Sequence, residues 1–253
     1  LFKSDLFENI SIIKNENSLE ITLKENPNVK YFEINLNTGS GFSNWIKGEK
    51  MLFTSEILNN QLTENKLSTG NIYTKRKIND FISLLESLYS DAGYHNSQIT
   101  QNVSIDDQNR AGIKLDISQG KRSKIESFTI TGNNKFLDKD LLKLFMIGEA
   151  DIALMNYFSN KDNFSKSELT KGISLMSNVY FDSGYLDFKI INVDLNLNDN
   201  KEKISINIEI SEGIQYKLGK LSFNGELGNI RLEEINSAIS LNEGDIFNRN
   251  SVI

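Results

Sequence analysis

The chain has 253 residues, of which 38% are hydrophobic and 25% charged, and its formal net charge at pH 7 is −6. That composition is typical of packed globular domains, and the acidic balance argues against nucleic-acid binding, which needs a basic surface. The absence of cysteine excludes thiol catalysis, thiolate metal sites and disulfides, and His95 is the single histidine of the sequence. We find no nucleophile–base pair, phosphate loop or metal-ligand spacing, so we expect neither an enzyme nor a bound cofactor.

The first predicted element is the end of a helix in residues 1–7, which indicates that the chain begins within a domain. Two strands with alternating apolar residues are predicted at residues 7–13 and 19–23. Pro27 closes this segment, because proline cannot donate to a sheet ladder and belongs at a boundary.

A second segment begins with a short alternating strand at residues 29–34, followed by a helix near residues 54–62 and a long helix over about residues 75–91. Gly93 stands just past the long helix, where a left-handed cap residue is expected. Strands are predicted at residues 99–105 and 113–117. The long helix presents one buried face at three-and-four spacing, formed by Ile78, Phe81, Ile82, Leu85, Leu88 and Tyr89.

The same order then recurs. A strand is predicted at residues 125–130, one helix after it, a second helix after Ser165, and a strand pair that ends at Gly213. Residues 84–94 and 175–185 match in their apolar positions, tyrosines and Gly-Tyr ends, and their glycines, Gly93 and Gly184, lie 91 residues apart. Internal repetition at this length predicts an array of similar small domains.

One predicted strand of the second copy breaks its own alternation. Its apolar residues occupy even positions as far as Ile190 and odd positions from Ile191 onward. A change of phase by one residue moves the apolar set to the opposite face unless the strand accommodates an extra residue. We therefore predict a β-bulge at Ile190–Ile191 in an edge strand. The bulge either only protects an edge or shapes a site that accepts a strand from another protein.

Several short motifs stand in the same order at domain spacing: Leu-Tyr-Ser-Asp-Ala-Gly-Tyr at 88–94 with its copy at 179–185, Phe-Thr-Ile-Thr-Gly-Asn at 128–133, Ile-Ser-Glu-Gly at 210–213 and Phe-Asn-Gly at 223–225. With these motifs the chain resembles, over essentially its whole length, the polypeptide-transport-associated (POTRA) domains of outer-membrane protein assembly factors of the BamA family. The resemblance implies an α+β fold, a tandem array of small β-α-α-β-β domains, each a three-stranded mixed sheet packed on two helices. It divides the chain into the C-terminal part of a first domain (1–27), a second repeat (28–120), a third repeat (121–213) and the N-terminal part of a fourth (214–253).

The resemblance also implies a function. It implies a non-enzymatic scaffold or chaperone arm on the periplasmic side of the outer membrane of a Gram-negative bacterium. The implied partners are unfolded outer-membrane β-barrel proteins, accessory lipoproteins of the assembly complex and a C-terminal membrane barrel of the same protein. Binding would occur by β-augmentation, in which an extended segment adds to a sheet edge. The alternatives are the arm of a two-partner-type secretion transporter and a purely structural periplasmic spacer.

Two sets of residues are candidate sites. Carried onto this sequence, the bulged edge strand of the family's third domain predicts an edge that binds partners or clients. The apolar stretch 152–158 either packs inward or forms a partner patch, and Trp45, in a long loop, either docks a partner or folds back on its own domain. The predicted edge consists of Asp187, Phe188, Lys189, Ile190, Ile191, Asn192, Val193 and Asp194, and the candidate patch of Leu154, Met155, Tyr157 and Phe158.

Overall fold

The structure, a computed structural model, describes residues 5–37, 51–145, 163–220, 222 and 242–249. Trp45 and the candidate patch at residues 154–158 lie outside the described residues. The chain divides into two compact units, Leu1–Arg122 and Ser123–Ile253. None of the helices in the described part is long and apolar enough to cross a membrane.

The described elements follow the predicted order of strands and helices. In the first unit they are β1 (Phe7–Lys14), β2 (Leu19–Glu25), β3 (Asn28–Asn37), α1 (Ser55–Glu64), α2 (Lys75–Asp91), β4 (Gln98–Ile105) and β5 (Arg110–Ser118). In the second unit they are β6 (Lys124–Thr131), α3 (Asp138–Leu142) with a 3₁₀ turn at Lys143–Phe145, α4 (Lys166–Asp182), β7 (Lys189–Leu197) and β8 (Lys203–Ser211).

Each repeat folds into a three-stranded mixed sheet. In the second repeat the strand order is β3-β5-β4, with β3 parallel and β4 antiparallel to the central β5. In the third repeat the order is β6-β8-β7, with the same directions. The predicted fold class is therefore confirmed, and in both repeats the strand before the last is an edge strand of its sheet.

The long helix α2 forms because its capping and its apolar spacing agree. The Thr74 side chain accepts a hydrogen bond from the Lys77 amide at the N-terminus, and Gly93, at φ 93°, allows the left-handed turn after the C-terminus. The buried side chains of α2 are Ile78, Phe81, Leu85 and Tyr89. They pack on the apolar face of β5, where Ile113, Leu115 and Ile117 are fully buried.

The third repeat has the same core with one closer contact. Helix α4 buries Leu169, Met176 and Tyr180 against the alternating isoleucines of β8. Gly172 lies on the same face, and a methyl group there would overlap the ring of Phe145. Gly172 therefore lets α4 approach the 3₁₀ turn at Lys143–Phe145.

The strand hairpin β1-β2 differs from the other two hairpins because no helix in the described part of the chain covers its apolar face. Ile12 and Ile21 face each other across the hairpin and are 62% and 54% exposed, whereas the matching side chains of β5 and β8 are buried. The structure also places the left-handed residue of this segment at Asp5, with φ 56°, and His95 in the turn between α2 and β4.

Candidate functional site: the edge strand of the third repeat

The candidate edge strand β7 follows a tightly packed turn. Helix α4 ends at Asp182 and is followed by Ser183 and by Gly184, which has φ 87°. Phe188 is buried and stacks on Tyr180, with ring centroids 4.2 Å apart and an interplanar angle of 12°. The Asp187 carboxylate accepts a hydrogen bond of 2.8 Å from the Tyr216 hydroxyl, and that bond raises the pKa of Tyr216. The start of the edge is therefore fixed by a ring stack and a polar contact.

The edge strand pairs antiparallel with β8 and carries the predicted irregularity. Ile190 pairs with Ile210 and Asn192 pairs with Glu209, so Ile191 is an extra residue without a partner in the register. The Ile191 side chain is 55% exposed. The phase change in the sequence thus corresponds to a β-bulge at the predicted position. By contrast, the equivalent edge strand β4 pairs with β5 over its full length without a register shift.

Beside the bulge, polar side chains form hydrogen bonds within strand β7. The Asn192 side-chain oxygen accepts a hydrogen bond of 2.9 Å from the Val193 amide, and its side-chain nitrogen donates one of 2.8 Å to Asp194. Asn192 and Asp194 lie on the open face of the sheet, opposite the helices. An incoming strand that uses the Val193 amide must displace the bond to Asn192.

The helix side of the same strand is apolar. Beyond the bulge, Val193, Leu195 and Leu197 pair with Ile208, Ile206 and Ile204 of β8, which belong to the core. Leu195 is nevertheless 42% exposed and Leu197 38% exposed. Because these side chains lie on the outermost strand of the sheet, they offer apolar surface to any chain that extends it.

A residue that the sequence reasoning missed anchors this sheet. The Glu212 carboxylate, just after β8, accepts hydrogen bonds from the amides of Asn134 and Lys135, both 2.8 Å, and from the Tyr180 hydroxyl at 2.9 Å. Burial opposes ionisation of Glu212, but these hydrogen bonds outweigh it and hold its pKa below the ordinary value. Burial and the bond to Glu212 also raise the pKa of Tyr180.

The second repeat has the corresponding contact, since the Gln119 side-chain oxygen accepts a hydrogen bond of 2.6 Å from the Leu52 amide. Gln119 directly precedes Gly120 and Glu212 directly precedes Gly213, the glycines that close the two repeats. A glutamate or glutamine at the same place in two copies is the sequence signal that could have revealed this role.

The structure changes the bounds of the predicted edge. Strand β7 runs from Lys189 to Leu197, so Asp187 and Phe188 belong to the preceding turn. The alternation through Phe188 resembled a strand, but this side chain points into the core because it stacks on Tyr180. The remaining predicted residues, Lys189 to Asp194, do lie together on β7, and their role in binding stays a prediction.

The family of the chain follows from comparison with known proteins. The POTRA family model, described as "Surface antigen variable number repeat", matches residues 46–120 and again residues 123–213, which is more than half of the chain. The chain belongs to the POTRA family. This confirms the resemblance that the repeated motifs predicted.

Two curated relatives of this POTRA chain carry the name "Outer membrane protein assembly factor BamA". The protein from Neisseria meningitidis serogroup B is 25% identical over 249 residues, which are 98% of this chain and 29% of the relative. The protein from Buchnera aphidicola is 25% identical over 252 residues, which are 100% of this chain and 38% of the relative. The chain thus spans between 29% and 38% of the length of these two relatives.

Solved structures of POTRA domains are also similar. The crystal structure of Haemophilus influenzae BamA POTRA3-5 has a TM-score of 0.42 and 15% identity, and the match covers 88% of this chain and 82% of that one. The structure of POTRA1-3 of Omp85 from Anabaena has a TM-score of 0.37 and 12% identity, with 93% and 80% covered.

Proposed function

We propose that this chain is part of the periplasmic arm of an outer-membrane protein assembly factor. In this proposal the arm binds unfolded outer-membrane β-barrel proteins and accessory lipoproteins and guides the clients to a C-terminal membrane barrel of the same protein, without catalysing a reaction. The relatives named as BamA support the assembly role, and the parent protein would then reside in the outer membrane of a Gram-negative bacterium. The exposed apolar face of β1-β2 supports the assignment of residues 1–27 to the end of a further domain.

The observation that carries the client-binding proposal is strand β7. It lies at the edge of its sheet, and among the described residues no strand pairs with its outer side. An added strand would place alternate side chains on the open face, beside Asn192 and Asp194, and on the helix side, beside Val193 and Leu195. That pattern suits an extended segment with alternating polar and apolar residues, which is the pattern of membrane-barrel strands.

The test is an NMR titration of the isotope-labelled chain with a synthetic peptide from a strand of an outer-membrane barrel. We expect chemical-shift changes at the amides of residues 189–197 that saturate with peptide. Shifts confined to other parts of the chain, with β7 unchanged, would overturn the assignment of this edge.

A proline variant separates binding from a spacer role. Ile191 has no partner in the register with β8, and bulges tolerate proline, so we expect Ile191→Pro to preserve the sheet while it stiffens the bulge and removes its hydrogen-bond donor. We expect this variant to lose peptide binding and Ile191→Ala to keep it, with unchanged circular dichroism in both. In a parent protein carrying Ile191→Pro, normal client assembly would favour the spacer.

A further inference from the structure

The two repeats place different side chains at one position of their edge strands. Gln101 of β4 pairs with Leu115, and Val193 of β7 pairs with Ile208. Leu115 and Ile208 are both fully buried in the central strand of their sheet. Gln101 and Val193 therefore occupy the same place, on the helix side of the edge strand, in the second and third repeats.

In the second repeat, a pair of amides connects this position to the long helix. The Gln101 side-chain nitrogen donates a hydrogen bond of 3.2 Å to the Asn79 side-chain oxygen. Asn79 is the fifth residue of α2, and the fifth residue of α4 is Thr170. The third repeat therefore has valine and threonine, side chains that carry methyl groups, where the second has two primary amides.

We propose that Gln101 and Asn79 are specificity-determining residues, which make the edge of the second repeat reject strands with apolar side chains on the helix side. The inference rests on the proposed function, because it assumes that strands add to these edges. A strand added to β4 would place alternate side chains beside Gln101. An apolar side chain there would remove both amides from water without offering them a partner, which is unfavourable.

The third repeat presents the opposite environment to an added strand. An apolar side chain added beside Val193 of β7 meets no amide, so the contact removes apolar surface from water on both partners. At the neighbouring helix-side position both edges are apolar, with Leu195 in β7 and Val103 in β4. The two repeats thus differ in the helix-side residue that they accept from an added strand at this position. A segment with alternating apolar residues binds β7, and β4 accepts a segment whose helix-side residues form hydrogen bonds with the amide pair.

The experiment uses the labelled full chain and a synthetic peptide of alternating valine and threonine with lysines at both ends. Chemical shifts of β4 and β7 amides report the two edges separately in one titration. Gln101→Val removes the side-chain amide from β4, the edge strand of the second repeat. Val193→Gln introduces a side-chain amide into β7, the edge strand of the third repeat. Asn102→Val is the matched control, because Asn102 pairs with Lys114 on the open face of the same strand.

In the wild type we expect peptide binding at β7 and at least about fivefold weaker binding at β4, a difference of about 1 kcal/mol. Gln101→Val should bring β4 to within about twofold of β7, Val193→Gln should weaken β7 at least about fivefold, and Asn102→Val should leave both edges unchanged. If β7 binds but the two helix-side variants have no effect, this proposal is wrong and the proposed function stands. If the peptide binds neither edge, the proposed function is wrong and this inference falls with it.

Discussion

The contact between Glu212 and the turn after β6 leads to a pH-dependent prediction. The substitution Glu212→Gln keeps a side-chain oxygen in the same place but removes the charge, and Gln119 shows that the fold accommodates glutamine at the corresponding place of the second repeat. We expect the variant to be less stable than the wild type at neutral pH. The cause is that three hydrogen bonds, from Asn134, Lys135 and Tyr180, lose their charged acceptor.

The magnitude follows from the strength of these bonds. Hydrogen bonds to a charged group contribute about 1.5–3 kcal/mol each and neutral ones about 0.5–1.5 kcal/mol. Three such differences would give about 3–4.5 kcal/mol, but burial of the carboxylate opposes them. We therefore expect a net loss of about 1–2 kcal/mol in the free energy of unfolding of the third repeat at neutral pH.

The pH dependence has a definite sign. Because the pKa of Glu212 is lowered in the folded chain, its charge stabilises the fold above the ordinary pKa of 4.5, and this contribution is lost as pH falls through the folded value. The glutamine variant lacks that contribution at every pH. The difference between the two proteins should therefore be largest at neutral pH and should shrink below pH 4.5.

The assay is urea denaturation combined with amide hydrogen exchange of β8, at neutral pH and below pH 4.5. Glu209→Gln is the control, because Glu209 is exposed on the same strand and its substitution removes the same charge. The reasoning would be refuted if Glu212→Gln cost the same stability at both pH values, or if Glu209→Gln reproduced its effect.

Two further pairs of variants test the packing. Gly132→Ala should destabilise the third repeat by about 2–4 kcal/mol, because Gly132 has φ 90° and a methyl group there would overlap the Ile210 carbonyl oxygen. Gly219→Ala should change stability by less than about 0.5 kcal/mol, because no atom of the described residues lies within 4 Å of the added methyl group. Equal effects in hydrogen exchange would contradict this. Tyr180→Phe should lower the free energy of unfolding by about 1.5–3 kcal/mol, because it removes a hydrogen-bond donor to a carboxylate. Tyr89→Phe should leave it almost unchanged, since the buried Tyr89 hydroxyl has no partner among the described residues. A large loss of stability of Tyr89→Phe in urea denaturation would contradict this reasoning.

The sequence predicted those parts of the fold that depend on local periodicity. The three-and-four spacing from Ile78 to Tyr89 located α2, and the change of phase at Ile190 located the bulge, because each pattern reports the burial of neighbouring side chains. The start of β7 was misplaced because Phe188 continues the alternation while its ring stacks on Tyr180. Periodicity cannot separate a strand residue from a turn residue that also points into the core.

Contacts between distant segments were beyond the sequence reasoning. The bond between Gln101 and Asn79 joins residues 22 positions apart, and the bond between Glu212 and Tyr180 joins residues 32 apart. Neither pair forms a motif, because its geometry depends on how a helix is placed against a sheet. Tyr89, by contrast, was predicted from its spacing to lie on the buried face of the long helix, and it is fully buried, as is Tyr180 at the matching position of the copy.

A small backbone feature recurs at three places in the described part of the chain. Isolated bridges join Asn28 to Ile72, Lys124 to Asn163 and Lys217 to Ile246. The first two lie between the start of β3 or β6 and the residues just before α2 or α4. In the first case the amide of Val29 donates to the carbonyl of Asn71, and in the last that of Leu218 donates to Asp245.

These bridges use main-chain atoms only, so they place little demand on the side chains at the paired positions. The paired positions accordingly hold asparagine or lysine on one side and isoleucine or asparagine on the other. The closure formed by these bridges therefore does not depend on any one side chain, and a substitution at a paired position leaves the main-chain contact available.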